Sequence, residues 1–118
     1  MKIIKYANMR EFDNTLRTYY NLQDVRIVDV HLHNETTQEL YHTHETITEI
    51  LFVIEGNIHI HIKRNDKIEY RTITTGNMIV FEPNEVHYVF SDNARVIVFK
   101  YIKTNENLLE TFINDWRK

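Results

Sequence analysis

The stretch YHTHETITEILFVIEG, residues 41–56, places two histidines and a glutamate close together on predicted strands. His42 and His44 are two residues apart on a short strand predicted over residues 40–44, so both side chains point to one face. Glu49 lies at the start of the next predicted strand, and a short turn would bring its carboxylate beside the two imidazoles. This stretch therefore predicts a candidate metal site between two strands.

A second stretch, GNMIVFEPNEVHYVFS, residues 76–91, carries His87 just after a loop that contains Pro83, the only proline of the chain. If His87 enters the same cavity, the site has three imidazoles and one carboxylate. Such a mixed set suits first-row divalent metals such as Fe, Mn, Ni, Cu or Zn. Coordination beyond these four ligands would leave a position open for water or substrate, which is typical of a reactive metal site.

The sequence around these stretches predicts short antiparallel strands separated by turns. The predicted strands cover residues 25–33, 40–44, 47–55, 58–64, 67–74, 78–81, 87–90 and 94–103. Asn65 and Asp66 are a predicted hairpin turn, because Asn and Asp tolerate left-handed backbone conformations. Two segments are predicted to be helical: residues 10–20, and residues 105–117, where apolar side chains recur at three- and four-residue spacing.

The first stretch resembles the first sequence motif of the cupin family. His42 and His44 are followed after four residues by Glu49, and after six more by Gly56. The second stretch is similar to the second cupin motif, with Gly76 ahead of His87 at the family's distance and Pro83 between them.

Three positions differ from the usual cupin motifs. Thr36 stands where the first motif usually opens with Gly, and Asn84 follows Pro83 where the family often has Gly. Ser91 stands where an Asn often follows the second-motif histidine. Asn can take a positive φ, so the Pro83–Asn84 turn stays compatible with the motif. None of the three differences removes a ligand.

The resemblance implies an all-β fold, the double-stranded β-helix or jelly-roll barrel of cupins. The barrel would cover about residues 25–103 of a single domain spanning residues 1–118, with a short N-terminal segment and a C-terminal helix over about 105–117. Gly56 and Gly76 would be turn residues. The ligands that the resemblance implies for one divalent transition metal are His42, His44, Glu49 and His87.

Two further histidine pairs have the same spacing as His42 and His44. His59 and His61 lie on a predicted strand, but no carboxylate is placed at a matching distance. We interpret that strand face as exposed to solvent or to another subunit, with a second metal site as the alternative. His31 and His33 leave the same alternatives open.

Alternation along the strand that carries Glu49 separates two faces. Leu51 and Val53 share the face of Glu49 and are predicted to line the cavity. The opposite face carries Ile50, Phe52 and Ile54. An exposed apolar face usually marks an interface, so either a helix covers it or the protein is a homodimer. The resemblance to cupins favours the homodimer.

Composition excludes several classes of protein. The net charge of −3 and the lack of a long basic run argue against a nucleic-acid partner. The chain has no cysteine, which excludes disulfides and thiolate metal sites. Neither a signal peptide nor an apolar run of membrane-spanning length is found, so no membrane partner is expected and the predicted location is the cytoplasm.

A fold of this kind does not fix a reaction. One hypothesis is a metal-dependent enzyme that isomerises or oxygenates a small polar substrate of the sugar or keto-acid kind. The alternatives are a non-catalytic module that binds or senses a small ligand, and an oligomerising structural protein with unused ligands. Candidate acid or base groups near the cavity rim are Glu85, Tyr41 and Glu35, but no catalytic residue is assigned. No convincing second carboxylate or lysine is predicted on the histidine-bearing face.

Overall fold

The computed structural model describes residues 1–11, 14–21, 25–33 and 41–102, and these residues form two antiparallel β-sheets. The strands are β1 (Ala7–Glu11), β2 (Asn14–Asn21), β3 (Val25–Leu32), β4 (Ile47–Glu55), β5 (Asn57–Arg64), β6 (Lys67–Thr74), β7 (Met78–Phe81), β8 (Val86–Phe90) and β9 (Ala94–Ile102). The larger sheet has the order β1-β2-β3-β9-β4-β7, and the smaller has the order β6-β5-β8. The all-β fold predicted from the sequence is confirmed.

The core lies between the two sheets. The alternation predicted for β5 is confirmed, since Ile58 and Ile60 are both buried and pack with side chains of the larger sheet. Their partners on β4 and β9 include Leu51, Val53 and Val96. Each buried aliphatic side chain of this size stabilises the fold by about 1.5–3 kcal/mol, so this interface holds the sheets together.

Tight turns connect the strands at the positions expected for Asn, Asp and Gly. Asn65 and Asp66 have φ angles of 48° and 63°, the pattern of a two-residue hairpin turn between β5 and β6. Gly56 has φ +81°, and a Cβ built there would lie 2.6 Å from the carbonyl oxygen of Asn93. Both the backbone angle and the space therefore require glycine at this turn.

The helix predicted over residues 10–20 is wrong. This region forms part of β1 and most of β2, and Leu16 of β2 pairs with Val30 of β3. Leu16 and Thr18 are buried while Arg17 is exposed, which is the alternation of a strand. Pairing with the neighbouring strand, a long-range contact, decided the conformation where the local pattern was weak.

Two other predictions concern short segments. Of the strand predicted over residues 40–44, the described part contains a single pairing, an isolated bridge between His42 and His87. The helix predicted over residues 105–117 lies outside the described residues, as does Glu35. Within the described ranges, no helix is long and apolar enough to span a bilayer.

Candidate metal centre

A cavity of about 510 Å³ lies against the inner face of the larger sheet. Its walls are mainly aliphatic side chains from β2, β3, β4 and β9, namely Leu16, Val28, Val30, Leu51, Val96 and Val98. His42, His44 and Glu49 also line it. An apolar cavity with a small convergent set of polar groups is the usual form of a small-molecule site. Leu51 lines the cavity as predicted, whereas Val53 lies in the core between the sheets.

A backbone bridge brings the two motif stretches together at their histidines. The N–H of His42 donates to the carbonyl of His87 over 2.9 Å, and the N–H of His87 donates to the carbonyl of His42 over 3.0 Å. Residues paired in this way project their side chains to the same face, and the two ring centroids are 4.2 Å apart. Two histidines that are far apart in sequence therefore become direct neighbours.

The turn that precedes His87 also fixes His44. The N–H of Asn84 donates to the carbonyl of His44 over 2.7 Å, and Asn84 has a φ of 71°. The turn is closed by the N–H of Glu82, which donates to Oε1 of Glu85 over 2.9 Å. Asn84 thus takes the positive φ expected of it and ties the turn to the first motif.

The carboxylate of Glu49 faces all three imidazoles. Its Oε2 lies 3.8 Å from Nε2 of His42, 3.4 Å from Nε2 of His44 and 3.6 Å from Nε2 of His87. The ligand atoms of His42, Glu49 and His87 all lie within 4.8 Å of one another. Donor atoms on one tetrahedral metal ion are about 3.4 Å apart, since each metal–ligand bond is about 2.1 Å. His42, Glu49 and His87 are therefore spaced nearly as a ligand set, whereas His44 contacts Glu49 but lies outside this group of three.

The atoms that face each other across this gap have unsatisfied hydrogen-bonding capacity. Nε2 of His44, Oε2 of Glu49 and Nε2 of His87 are buried and have no hydrogen-bond partner within the described residues. Each such atom costs about 1–3 kcal/mol when it is left unpaired. A divalent cation would satisfy all three at once, so the residues present fit a metal.

The ring of His87 is held in one orientation and one tautomer. Its Nδ1 lies 3.0 Å from the carbonyl of Glu85. Because a carbonyl can only accept, Nδ1 carries a proton, and Nε2 is the ring nitrogen that faces Glu49. Phe81 stacks on the ring at 3.8 Å with an interplanar angle of 3°. With Nδ1 and the ring face held in this way, Nε2 is the atom of His87 that is placed to bind a metal.

Glu49 is an anion in this environment. Burial raises the pKa of its carboxyl, but contacts with the three imidazoles and the charge of Lys100 outweigh burial and hold this pKa well below its usual range. Nζ of Lys100 lies 3.6 Å from Oε2 of Glu49. The expectation that no lysine lies on the histidine-bearing face is therefore wrong. On β9, Lys100 follows Val96 and Val98 at two-residue spacing and shares their inward face. This alternation in the sequence could have predicted that Lys100 points into the cavity.

The acid and base candidates fall in different places. Glu85 forms an ion pair with Arg64 at 2.9 Å and is not among the residues that line the cavity. Tyr41 does line the cavity, and its ring centroid is 6.0 Å from that of Tyr88. Of the two, Tyr41 is the one placed to meet a small molecule.

The other histidine pairs have different surroundings. Nδ1 of His59 lies 3.2 Å from the hydroxyl of Thr72, and the ring of His61 packs edge-on against Tyr70 and Phe90. No group of three metal-ligating side chains forms around this pair in the part of the chain that is described.

His31 and His33 bind neighbouring polar groups. Nε2 of His31 lies 2.9 Å from Oδ1 of Asn93, and Nε2 of His33 lies 3.0 Å from the hydroxyl of Thr15. The two rings are 4.1 Å apart. Each histidine of this pair is therefore already engaged by an uncharged neighbour.

Comparison with known proteins gives a family and a set of similar folds. A family model described as Cupin matches residues 7–115. No curated protein is similar enough in sequence to count as a relative.

Solved structures give the same fold. One is hydroxypropylphosphonic acid epoxidase from S. wedmorenis, with a TM-score of 0.72 and 17% identity over 85% of this chain and 59% of that one. KdgF from Halomonas sp. has a TM-score of 0.67 and 16% identity over 92% of this chain and 100% of that one. The chain thus spans about three fifths of the epoxidase. At these identities the likeness is one of fold alone.

Proposed function

This chain belongs to the cupin family, and we propose that it binds one divalent transition metal and acts on a small polar molecule. The proposed ligands are His42, His44, Glu49 and His87. One observation carries the proposal: buried, unpartnered ligand atoms from three of these side chains converge at a cavity.

The donor set suits Fe, Mn, Ni, Cu or Zn, and a bound ion would supply Lewis-acid chemistry or, if it is iron, redox chemistry. Glu49 contributes the one negative charge of the set. His87 contributes a lone pair whose direction is fixed by the Glu85 carbonyl and the stacked Phe81. Much of the cavity wall is aliphatic, and apolar surroundings strengthen electrostatic interactions of the groups that they border.

For the reaction, we propose isomerisation or oxygenation of a small sugar-like or keto-acid-like substrate. Solved structures with this fold include an Fe(II) form of the epoxidase, which is compatible with redox chemistry on such a scaffold. A cavity of about 510 Å³ has room for a small substrate.

A second candidate function is non-catalytic binding of a small ligand. It is favoured by the scarcity of acid–base groups: among the described residues that line the cavity, Glu49 is the only carboxylate. Proton transfer would then depend on groups such as Tyr41 or on water.

Elemental analysis of the purified, untagged protein tests the metal proposal. We expect about one equivalent of a first-row metal in the wild-type protein and almost none in Glu49→Ala, with His59→Ala as the matched control that keeps its metal. Absence of metal after each ion has been added back would overturn the proposal, as would equal loss from both variants.

The metal-loaded protein then separates the two functions. Incubation with a panel of hydroxy acids, keto acids and sugars, followed by mass spectrometry, would detect product if the protein is an enzyme. A ligand-binding module would instead show a rise in Tm with a panel member and no product.

We also propose a homodimer formed through the outer face of the larger sheet. Of the apolar face predicted on β4, Ile50 is buried, whereas Phe52 and Ile54 are 39% and 40% exposed. Met78, which is 40% exposed, pairs directly with Phe52 across β4 and β7 and extends the exposed part. Light scattering with size-exclusion chromatography tests this: Phe52→Lys should give a monomer, while Tyr70→Lys on the other sheet should not.

A further inference from the structure

Three charged residues form one row across the larger sheet. Lys100 on β9 pairs directly with Glu49 on β4 and with Arg26 on β3. Directly paired residues of antiparallel strands share a face, and all three line the cavity. The row therefore leads from the proposed metal carboxylate to two cations on the same cavity wall.

A bound metal would change the charge of this wall. The opposite charges of Glu49 and Lys100 offset each other at 3.6 Å, so the two charges of a divalent metal would leave an excess of positive charge beside Lys100. Among the described residues that line the cavity, none adds a second carboxylate. A metal-loaded cavity would thus be strongly positive, and a positive apolar cavity concentrates anions.

Among the described residues, the carboxylate that lies beside Lys100 is that of the proposed metal ligand Glu49. The Nζ of Lys100 lies 3.6 Å from Oε2 of Glu49, the same oxygen that the three imidazoles approach. If Glu49 bound a metal ion, its negative charge would be shared with that ion. Lys100 and the metal ion would then repel each other. The Lys100 side chain is only 19% exposed, so water screens that repulsion poorly. An anion at this position would relieve it.

We propose that Lys100 is a specificity-determining residue that binds the anionic group of the substrate beside the metal, with Arg26 adding positive charge on the same wall. The substrate class is then a small acid with a hydroxyl or carbonyl group next to a carboxylate, phosphonate or phosphate, rather than a neutral sugar. This inference rests on the proposed function, because it takes the metal-loaded cavity as the substrate site.

Lactate and lactamide are suitable probes because they match in size and hydroxyl position and differ in charge. Titration calorimetry would measure both with the zinc-loaded protein. We expect Lys100→Met to bind lactate at least about tenfold more weakly than the wild-type protein, the difference made by one charge-assisted hydrogen bond. Lactamide binding should be unchanged, and Lys100→Arg should restore part of the lactate affinity. Lys67→Met removes an exposed lysine of β6 as the matched control.

Metal content measured on the same samples keeps this proposal separate from the metal proposal. One equivalent of zinc in the wild-type protein and Lys100→Met, with equal lactate affinity, would overturn the Lys100 assignment and leave the metal site intact. Loss of zinc from Lys100→Met and Lys100→Gln would also overturn it, because the lysine would then only support Glu49. If the wild-type protein held no zinc, the metal proposal would fail, and lactate binding that does not depend on Lys100 would overturn this one too.

Discussion

Two of the three histidine pairs with identical spacing lie in opposite surroundings. His42 and His44 face the carboxylate of Glu49 at the cavity. His59 and His61, on the outer face of β5, face a threonine hydroxyl and aromatic rings. The spacing places two imidazoles on one face in both cases. What distinguishes them is the residue that the neighbouring strand places opposite, and only a carboxylate makes the pair a candidate for a metal.

Burial alone does not separate the two regions. Nδ1 of His61 is also buried without a hydrogen-bond partner among the described residues. Its ring lies edge-on to Tyr70, Tyr88 and Phe90, with interplanar angles of 77–83°. At the cavity, by contrast, several unpartnered atoms point at each other. Convergence of such atoms is therefore the stronger indicator of a ligand site.

The largest expected effect comes from removing each pair in turn. His42→Ala/His44→Ala should lower metal affinity at least about 100-fold, because even residues that only orient ligands cost 10–100-fold when lost. His59→Ala/His61→Ala should leave metal content unchanged. Elemental analysis and metal titration measure both, and equal losses in the two double variants would break the comparison.

A smaller effect is expected from the rings that support each pair. Phe81→Leu removes the ring stacked on His87 and should lower metal affinity about tenfold by freeing the imidazole orientation. Tyr70→Leu removes the ring against His61 and serves as the matched control. Competition with a chelating dye measures the affinities. An affinity unaffected by Phe81→Leu would show that the Glu85 carbonyl orients His87 without help.

The smallest effect is a gain at the outer pair. Thr72 lies directly opposite His59 in the β5–β6 register, so Thr72→Glu places a carboxylate where the cavity pair has Glu49. We expect a weak second equivalent of Zn²⁺, weak because the new carboxylate would be exposed and the described residues place no counterpart of His87 beside this pair. Thr72→Gln is the uncharged control. No second equivalent in calorimetry would mean that a carboxylate near a histidine pair is not sufficient.

The parts of the fold predicted from sequence are those with strong local signals. Strict alternation over β5 predicted which face Ile58 and Ile60 bury, and the Asn65–Asp66 turn has the backbone angles that its residues favour. Residues 10–20 lacked such a signal, and their strand conformation depends on pairing with β3. Long-range pairing of this kind cannot be read from a local window.

The candidate site likewise has features that the sequence predicted and features that it did not. The two motifs predicted which side chains meet, since their spacing is a property of the sequence. Lys100 was missed because β9 reads as an apolar strand, and only the register with Glu49 shows that the lysine enters the cavity. The identity of the metal is not encoded in the donor types, because histidine nitrogen and carboxylate oxygen suit several first-row ions.

The bridge between His42 and His87 has a consequence for local motion. Within the described residues, the backbone of segment 41–44 makes three backbone hydrogen bonds to other segments. Two belong to this bridge, and the third runs from the N–H of Asn84 to the carbonyl of His44. So few bonds can break together while both sheets stay intact, which is a local opening event rather than unfolding. An ion held by both histidines would have to be released before the bridge parted. Slow hydrogen exchange at the amides of His42 and His87 would therefore indicate that the centre holds an ion. Fast exchange would indicate that the bridge opens, which would let an ion enter.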